Sequence, residues 1–437
     1  MSGRIKNQQA ILSKLGIERL NKMQEEAHQA ILSNSEIILI SPTGTGKTLA
    51  FLLPIIAELD SVSDQVQVLI LVPSRELAIQ IEQVIREMGS GYKTNAVYGG
   101  RAGSKDKIEL KHAPAILIGT PGRIADHMRR QNIATNDIRT LVLDEFDKSL
   151  EVGFESEMKE IVSALPSLKK KILTSATQRV EIPKFVGLKN PEKLNFLSET
   201  NSELTLKTII SPDKEKLETL EKLLGHIGDG SGIIFCNFKD TIEIVSDFLF
   251  EKEIGHGCFF GGLEQIDRER ALIKFRNGTH RILIATDLAA RGIDVPEMDF
   301  IVHYQLPVKK EEFTHRNGRT ARMNSNGTAY ILKWKNEALP DFIEGSEIEE
   351  IRSTKPPSRS QWKTLFISGG RKDKISKGDI AGLFFKQGQL QQNELGTIEL
   401  KQDCAFVAVP SSKAKQLIQE LNNSRLKKKK VRISLLA

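Results

Sequence analysis

The sequence predicts an α/β fold with two parallel sheets covered by helices, followed by a small α+β domain. Two patterns in the 437 residues carry this prediction. Short runs that are apolar on both faces alternate with helix-length stretches over most of the chain, which is typical of parallel sheets. After a polar, proline-containing stretch, the C-terminal part changes to the order strand, helix, strand, strand, helix, strand.

The first α/β block, residues 36–200, contains apolar runs that end in polar or glycine-containing loops. These runs are IILI (37–40), VLILVP (68–73), AILIGT (115–120), TLVLDE (140–145) and ILTSAT (172–177). Functional loops lie at the carboxyl ends of parallel strands. We therefore expect a site formed by the loops that follow these runs.

A second block repeats the pattern. Its predicted strands are TLKTIIS (205–211), GIIFC (232–236), RILIAT (281–286) and FIVHY (300–304), with a helix over 213–225. The segment near 195–204 is interpreted as a linker, and so is 351–361, which is polar and contains proline. The predicted domains are therefore 1–200, 205–350 and 362–437.

The C-terminal segment has its own folding pattern. KTLFIS (363–368) alternates like a strand, and a helix that Ser376 caps is predicted over 376–388. Strands within 396–410, a helix over 411–423 and a strand over 430–436 complete the pattern. This order predicts a four-stranded sheet backed by two helices.

The positive charge of the chain is concentrated at its C-terminal end. Residues 353–437 contain 17 Lys and Arg against 6 Asp and Glu, a net charge of +11, which leaves −4 of the total +7 for residues 1–352. This asymmetry favours a nucleic-acid-binding appendage on a nearly neutral body. The alternative is a solvated tail that only aids solubility.

Other features of composition exclude several classes of protein. No run of about 18 apolar residues occurs, so no membrane span is expected. The N-terminus has no apolar signal-peptide region, and we therefore expect a cytoplasmic protein. Cys236, Cys258 and Cys404 are widely spaced, which favours buried reduced thiols over a disulfide framework or a zinc site.

SPTGTGKT (41–48) has the pattern of a loop that cradles nucleotide phosphates, and it lies between an apolar strand and a helical stretch. Lys47 would reach the β- and γ-phosphates, and the Thr48 hydroxyl would ligate Mg²⁺. The predicted nucleotide-binding residues of this loop are Thr43, Gly44, Thr45, Gly46, Lys47 and Thr48.

DEFD (144–147) ends another apolar strand in the same block. Asp144 can hold Mg²⁺, directly or through water, and Glu145 can polarise the attacking water. Together with the phosphate loop, this pair predicts hydrolysis of a nucleoside triphosphate.

HRNGRTAR (315–322) places Arg316, Arg319 and Arg322 three residues apart, so that on a helix they would share a face. Remote arginines can stabilise the charge that develops as the γ-phosphate leaves. If they act on the nucleotide of the first block, two lobes must close around it.

The order of these elements resembles the DEAD-box RNA helicases of superfamily 2 over roughly residues 10–335. The motifs in family order are SPTGTGKT, PSRELA (73–78), GG (99–100), TPGR (120–123), DEFD, SAT (175–177), GLEQIDR (262–268), ATDLAARGID (285–294) and HRNGRTAR. The resemblance implies two tandem RecA-like domains that use ATP and Mg²⁺ and bind RNA.

The resemblance also implies roles for particular residues. Gln24 would read adenine, Asp294 would contact the ribose, and Arg319 and Arg322 would be arginine fingers. Ser175 and Thr177 would couple hydrolysis to unwinding. Contacts to the RNA backbone are implied for Pro73, Arg75, Gly100, Thr120, Gly122, Arg123, Gln265, Arg268, Thr286, Arg291 and Gly292. Contacts of this kind position a strand without reading its sequence.

The chain departs from the family pattern in three places. Phe146 replaces the usual Ala of the DEFD tetrapeptide, which requires local repacking and could alter the rate. The pattern before Gln24 is LNKMQ, where the family usually has Thr and Pro. Residues 1–20 contain no Phe, Tyr or Trp that could stack on adenine.

The C-terminal segment resembles the RRM-like domain of DbpA-type DEAD-box helicases. KTLFISGG and QDCAFVAV are similar to the two RRM strand motifs, with Phe366 and Phe406 at base-stacking positions and Cys404 in place of a third aromatic. Either ring could instead belong to the core. A second candidate for RNA contact is the basic cluster of Arg425, Lys427, Lys428, Lys429, Lys430 and Arg432 beside the last strand. The alternatives for this cluster are a solvated face and a nuclear-localisation signal.

Taken together, the resemblance implies a monomeric, ATP-dependent RNA helicase that locally unwinds short duplexes in ribosomal RNA during large-subunit assembly, with no membrane or DNA partner. Two alternatives remain at this stage. One is an RNA clamp or annealing chaperone with weak ATP turnover, and the other is a DNA helicase.

Overall fold

The structure, a computed structural model, describes residues 7–100, 103–177, 181–197, 204–290, 295, 298–320, 327–351 and 357–436. The chain divides into two compact units, and each is described by itself. The first unit contains one parallel sheet. The second contains another parallel sheet and the C-terminal domain.

The first unit is built on a seven-stranded sheet in which all pairs are parallel and the order is β3-β4-β2-β5-β6-β1-β7. Its strands are β1 (Glu36–Ile40), β2 (Val68–Leu71), β3 (Thr94–Val97), β4 (Ile116–Gly119), β5 (Thr140–Leu143), β6 (Lys170–Ser175) and β7 (Glu192–Asn195). Its helices are α1 (Gln8–Leu15), α2 (Lys22–Ser33), α3 (Lys47–Glu58), α4 (Arg75–Met88), α5 (Gly103–Leu110), α6 (Pro121–Arg129), α7 (Phe146–Glu151) and α8 (Glu155–Ser163).

Both faces of this sheet are buried, which explains the continuous apolar runs in the sequence. Successive side chains of a strand point to opposite faces. Ile70 and Ile118 accordingly join one apolar cluster, while Leu69 and Leu117 join the cluster on the other face. Polar residues are therefore confined to the loops at the strand ends.

The second unit contains a seven-stranded parallel sheet in the order β10-β11-β9-β12-β13-β8-β14. Its strands are β8 (Leu204–Ser211), β9 (Gly232–Phe235), β10 (His256–Phe259), β11 (Ile282–Ala285), β12 (Phe300–His303), β13 (Gly327–Trp334) and β14 (Glu347–Ile348). Its helices are α9 (Leu217–Ile227), α10 (Lys239–Glu251), α11 (Gln265–Arg276), α12 (Asp287–Ala290) and α13 (Lys310–Asn317).

The C-terminal domain is a four-stranded antiparallel sheet in the order β16-β17-β15-β20, with a separate two-stranded hairpin. The strands are β15 (Trp362–Ile367), β16 (Ile398–Leu400), β17 (Ala405–Pro410), β18 (Arg425–Leu426), β19 (Lys429–Lys430) and β20 (Ile433–Leu435). The helices are α14 (Lys377–Lys386), which Ser376 caps as expected, and α15 (Ala414–Leu421). Leu365, Phe384 and Leu417 lie in a core of the domain's own.

The predicted fold class is confirmed: two parallel α/β sheets are followed by a small α+β domain. The structure adds strands that the apolar runs did not reveal. Four of these, β3, β7, β10 and β14, are the edge strands of the two parallel sheets. The basic run also differs from the prediction, because Lys429 and Lys430 belong to the hairpin and the last strand begins only at Ile433.

No helix in the described part of the chain has the length and apolar character that crossing a bilayer requires. Cys236, Cys258 and Cys404 are free thiols. Burial raises the pKa of Cys236 to about 12, so this thiol stays protonated and unreactive at neutral pH.

Candidate active site

The phosphate-loop sequence forms the turn between β1 and α3, which begins at Lys47. Gly44 and Gly46 have φ angles of +84° and +86°, a region that residues with a Cβ rarely adopt. A Cβ on Gly46 would also lie 2.4 Å from Nε2 of Gln24. Glycine is therefore required at this position by conformation and by space.

The Lys47 side chain is folded over this loop. Its Nζ donates to the carbonyl oxygens of Ser41, at 2.6 Å, and Pro42, at 2.7 Å. The residue is only 9% exposed. The ammonium group is thus positioned inside the concavity of the loop, where a phosphate group would be an alternative acceptor.

Asn21 and Gln24 brace the loop from the side. They form a capping box at the start of α2. Asn21 Nδ2 donates to the Thr45 carbonyl at 3.1 Å, and Gln24 Nε2 donates to the Gly46 carbonyl at 3.3 Å. The structure therefore brings Gln24 to the phosphate loop, and its expected contact with adenine stays a prediction. The contact of Asn21 with the phosphate loop was not predicted from the sequence, although the Asn-x-x-Gln spacing is the signature of a capping box.

Asp144 follows β5 and is buried. Its Oδ1 accepts hydrogen bonds from the Thr174 hydroxyl and from the Glu145 N–H, the latter at 3.2 Å. Burial raises the pKa of Asp144, while the Thr174 hydrogen bond and the positive charge of Lys47 oppose this shift. Thr174 was missed because the sequence gives no sign that it contacts DEFD.

Glu145 has left-handed backbone angles, φ +48° and ψ +49°, directly before α7. Such a conformation is uncommon for a residue with a Cβ and is often found at functional positions. Phe146, the next residue, is 2% exposed and packs in the apolar cluster that contains Leu143 and Leu173. Its ring fills the core of the first unit, and its effect on the rate stays a prediction.

The SAT segment is connected directly to DEFD. The Thr177 hydroxyl donates to Oδ2 of Asp147 at 3.2 Å, and the Ser175 hydroxyl accepts from the Thr177 N–H at 3.0 Å. A change at DEFD can therefore reach the SAT turn through one hydrogen bond. The coupling role of Ser175 and Thr177 stays a prediction.

The predicted RNA contacts of the first unit lie at the same ends of its strands. Pro73 follows β2, and the guanidinium of Arg75 lies against Gly100, since a Cβ there would be 2.4 Å from its Nη1. Thr120 directly precedes α6, whose first turn contains Gly122. These placements fit the expectation without testing it.

Arg123 also has a structural partner. Its Nε lies 2.9 Å and its Nη2 2.8 Å from Oδ2 of Asp106. The same oxygen lies 3.1 Å from Nε2 of His127, and Asp106 is fully buried. An RNA contact by Arg123 would therefore use a side chain that already compensates a buried carboxylate.

In the second unit, Arg316 is a structural residue. Its side chain has 0% exposure and forms a bidentate pair with Asp287 at 2.7 and 2.6 Å. It also donates to Asn237 Oδ1 and to the Gln305 carbonyl, each at 2.7 Å. This network joins the loops that follow β9, β11 and β12.

The expectation that three arginines share a helical face is wrong. The helix α13 ends at Asn317, and the chain turns at Gly318, whose N–H donates to the Thr314 carbonyl. Arg319 lies beyond the helix and is largely buried. Arg322, Arg291, Gly292 and Asp294 lie outside the described residues.

Other predicted contacts of the second unit belong to α11 and the end of β11. Gln265 is the first residue of α11, and Thr286 follows β11. Arg268 is one turn further along α11, with its guanidinium 4.8 Å from the ring centroid of Phe259. A cation over an aromatic face is stabilised by the ring quadrupole, which fixes the position of this arginine.

In the C-terminal domain, Phe366 and Phe406 are register partners on β15 and β17, with ring centroids 5.8 Å apart. Phe406 is 7% exposed and packs against Ile273 of α11 and Leu436. In the basic cluster, Lys427 and Lys429 pair with Asp379 at 2.9 Å and Asp373 at 2.8 Å. Lys428 and Lys430 are exposed.

Three family models match the chain, one after another. DEAD/DEAH box helicase matches residues 21–185, Helicase conserved C-terminal domain matches 215–324, and DbpA RNA binding domain matches 364–435. These matches contain the phosphate loop, the arginine network and the antiparallel sheet described above.

Curated relatives match over nearly the full length. The ATP-dependent RNA helicase DbpA of Bacillus subtilis is 30% identical, over 97% of this chain and 96% of the relative. The protein of the same name from Escherichia coli strain K12 is 31% identical with the same coverage. The chain therefore belongs to the DEAD-box helicase family, in the group whose members carry a DbpA RNA binding domain.

Solved structures share the fold. The structure of S. cerevisiae Dbp5 bound to RNA and ADP BeF3 has a TM-score of 0.67 and 28% sequence identity, covering 76% of this chain and 88% of that one. The similarity extends over the greater part of the chain.

Replacing Thr174 with Val tests the support of Asp144. The variant leaves a buried carboxylate with one hydrogen bond fewer, so unfolding should become easier by about 1–3 kcal/mol. Because the Thr174 hydroxyl orients the carboxylate of Asp144, its loss should also slow ATP hydrolysis, about 10-fold or more. Urea unfolding and steady-state ATPase assays measure both effects. Thr174→Ser keeps the hydroxyl and is the control. Equal values for Thr174→Val and wild type would contradict this role.

His303 should make the stability of the second unit depend on pH. It is fully buried, and burial together with the charge of Arg316 lowers its pKa to about 3. The unfolded imidazole titrates near 6.5, so the unfolded state binds one more proton between these values. The contribution of neutral, buried His303 to the free energy of unfolding is therefore fully present above pH 6.5. It is lost progressively as the pH is lowered towards 3.

Between pH 7 and pH 5 this one group should lower the free energy of unfolding by about 2 kcal/mol. His303→Gln should remove that part of the pH dependence, whatever its effect at pH 7. Urea titrations of wild type and variant at both pH values give the difference. Parallel pH dependences in the two proteins would show that His303 is not the titrating group.

Proposed function

We propose that this chain is an RNA-stimulated ATPase that grips single-stranded RNA, locally separates short RNA duplexes and acts on ribosomal RNA during large-subunit assembly. The observation that carries the proposal is the match to DbpA-type relatives over 97% of the chain, which includes the C-terminal RNA binding domain. Those relatives are ATP-dependent RNA helicases, and the Dbp5 structure was bound to RNA. The chain acts as a monomer in the cytoplasm.

ATP binds at the turn between β1 and α3. Lys47 would exchange its two carbonyl partners for phosphate oxygens, and the backbone N–H groups of 43–48 would surround the phosphates. Gln24 already contacts this turn through the Gly46 carbonyl. We propose that its amide contacts the bound base while Asn21 keeps its hydrogen bond to the Thr45 carbonyl.

Thr48 and Asp144 are a suitable donor set for Mg²⁺, which prefers hydroxyl and carboxylate oxygens. Burial disfavours the charged form of Asp144 and raises its pKa, and a nearby cation would relieve this cost. Thr174 and the Glu145 N–H fix the carboxylate, as partners of ligand side chains usually do. When bound, Mg²⁺ neutralises charge on the β- and γ-phosphates.

Glu145 orients and polarises the attacking water. Its left-handed backbone lies directly between the end of β5 and the start of α7. Arg319, together with Arg322, would stabilise charge on the departing γ-phosphate after the two lobes close on ATP and RNA. A movement of DEFD during hydrolysis would be transmitted to the SAT turn through the hydrogen bond between Thr177 and Asp147.

RNA is gripped by its backbone. Arginine side chains, hydroxyl groups and loop N–H groups at 73–75, 99–100 and 120–123 position a strand without reading its bases. Gln265, Arg268 and Thr286 would supply the matching contacts of the second unit. Binding should accordingly tolerate sequence changes and weaken with salt.

The decisive test compares ATP hydrolysis with no nucleic acid, with single-stranded RNA and with DNA of equal length. We expect stimulation by RNA and much less by DNA. RNA binding without stimulated hydrolysis would favour a clamp or annealing chaperone. Equal stimulation by both nucleic acids would favour a DNA helicase and overturn the proposal.

Two variants serve as controls in this assay. Lys47→Ala removes the phosphate contact and should reduce hydrolysis about 100-fold or more. Glu145→Gln should reduce hydrolysis by about two orders of magnitude or more while ATP binding is retained. Near-normal turnover in either variant would reject the assigned site.

The exposed lysines of the hairpin should contribute to binding of structured RNA through phosphate contacts. Lys428→Ala combined with Lys430→Ala should weaken binding to ribosomal RNA fragments and reduce the slope of log K against log salt by about one unit per lost contact. Lys386→Ala combined with Lys415→Ala removes two other exposed lysines of the domain and should leave the slope unchanged. Identical slopes for both double variants would exclude the hairpin as a phosphate contact.

A further inference from the structure

A cavity of about 500 Å³ lies at the carboxyl ends of β12 and β13 in the second unit, beside the start of α10. Its lining includes Thr241 and Ile244 of α10, Tyr304 after β12, and Trp334 at the end of β13. None of these four residues takes part in the nucleotide or RNA contacts described above. Cavities of roughly 300–1,000 Å³ with aromatic and aliphatic walls are typical of ligand sites.

Hydrogen bonds hold the aromatic walls of this cavity in position. Trp334 Nε1 donates to the Pro212 carbonyl at 3.2 Å. The Tyr304 hydroxyl donates to the Glu215 carbonyl. Because the walls are already ordered, a ligand that enters the cavity loses little binding energy to fixing them.

Lys216 is the buried cation of the lining, and its backbone is left-handed with φ +61°, a conformation that is often found at functional positions. Its Nζ donates to the Leu332 carbonyl at 3.0 Å and lies 3.6 Å from Oε2 of Glu337. The same atom lies 5.3 Å from the ring centroid of Tyr304. A phosphate group would have to displace these partners, so the interior of the cavity favours an uncharged ring over a nucleotide.

The outer face of α10 supplies the charge that selects the occupant. The lining itself has no net charge, because it contains two lysines and two glutamates. The helix α10 contains four carboxylates and one lysine, a net charge of −3. The exposed residues Asp240 and Asp247 are neighbours of Ile244 on the helix surface, at spacings of four and three residues. This charge repels an RNA strand and attracts lysine and arginine side chains.

Ile244 is 57% exposed between these carboxylates. Single exposed apolar side chains are common on protein surfaces and need no partner. Ile244 differs because it borders a preformed cavity with aromatic walls. An apolar edge surrounded by carboxylates is complementary to a basic polypeptide that has an apolar anchor.

We propose that this cavity, defined by Thr241, Ile244, Tyr304 and Trp334, is a docking site for a basic segment of a partner protein that inserts an aromatic side chain. The inserted ring packs on Ile244 and Trp334, and lysine or arginine residues beside it pair with the carboxylates of α10.

The docking site is separate from the predicted RNA contacts among the described residues of this unit. Thr286 follows β11, and Gln265 begins the helix before that strand. The strand β9 lies between β11 and β12 in the sheet, whereas the cavity is at the ends of β12 and β13. The partner segment and RNA can therefore be bound at the same time.

Tryptophan fluorescence of the full chain tests the docking directly. The chain has two tryptophans, and Trp362→Phe leaves Trp334 as the only reporter. A synthetic peptide with one phenylalanine between lysine- and arginine-rich flanks should give a saturable change in Trp334 emission. Replacing that phenylalanine with alanine should weaken binding about tenfold or more, as expected for loss of a buried ring. Equal affinities of the two peptides, or no saturable change with the first, would overturn the proposal.

Matched variants of α10 locate the site. In the same background, Ile244→Ala should weaken binding of the basic peptide about fivefold or more through loss of apolar contact. Phe250→Ala removes another exposed apolar side chain of α10 that does not line the cavity, and it should leave the affinity unchanged. Both side chains are more than half exposed, so both variants should fold. Equal weakening by the two variants would indicate general adhesion to apolar surface and would reject the site.

The charge requirement has its own test. Asp240→Asn combined with Asp247→Asn should weaken binding of the basic peptide and reduce its salt dependence. A peptide with the same phenylalanine between glutamate-rich flanks should bind more weakly than the basic peptide. An equal or higher affinity for this acidic peptide would contradict a basic partner.

Occupation of the cavity by RNA is a separate outcome. Ile244→Ala should bind single-stranded RNA as wild type does, and a loss as large as that for the peptide would assign the cavity to RNA and overturn the proposal. The peptide titrations contain neither RNA nor ATP. They therefore decide the docking even if the wild-type chain shows no RNA-stimulated ATP hydrolysis, a result that would reject the proposed function alone.

Discussion

Burial of both faces of the parallel sheets is the constraint on which the rest of the structure depends. Every residue of β2, β4 and β5 is buried, so these strands cannot carry polar chemistry themselves. The polar residues are displaced to the loops that follow the strands. Lys47 and Asp144 come from distant parts of the sequence, yet both lie at this edge of the first sheet. In the second sheet, too, the polar residues lie in the loops after the strands. Asp287 and Asn237, which both contact Arg316, follow β11 and β9.

The buried charges of these loops are stable only because each has a fixed partner. An isolated charge in a low-dielectric interior is costly, and removing one partner of a buried pair costs more than removing a surface pair. Asp106 shows this most clearly, because Arg123 and His127 both contact one of its carboxylate oxygens. Arg316 is the opposite case, a buried cation enclosed by acceptors. Residues that resemble ligand contacts in the sequence can therefore be structural, and Arg316 is one of them.

The sequence was sufficient for the interior strands other than β13, but not for the contacts between the loops that follow the strands. Interior strands are apolar on both faces, whereas the edge strands β3 and β7 begin with Thr94 and Glu192 and give a weaker signal. The strand β13 contains the apolar run YIL, which could have revealed it. Thr174 could not be found, because its contact with Asp144 depends on β5 and β6 being neighbours in the sheet. Spacing alone also placed Arg319 on a helix that ends before it.

The two phenylalanines of the C-terminal domain show a further limit of local patterns. An aromatic ring on the outer face of a sheet is stable when another group packs on it. From the sequence of the domain alone, the candidates for that group are a nucleic-acid base and the domain's own core. The helix α11 has buried apolar residues that its own domain cannot cover completely. Leu272, Ile273 and Phe275 are all buried, but they are too close in sequence to face one core from a helix. Each feature is unexplained within its own domain. Packing Ile273 on Phe406, with Arg276 on Glu399 beside it, accounts for both. Apolar surface that neither domain can bury alone is thus the reason why the C-terminal domain is fixed to the helicase body instead of being tethered to it by a free linker.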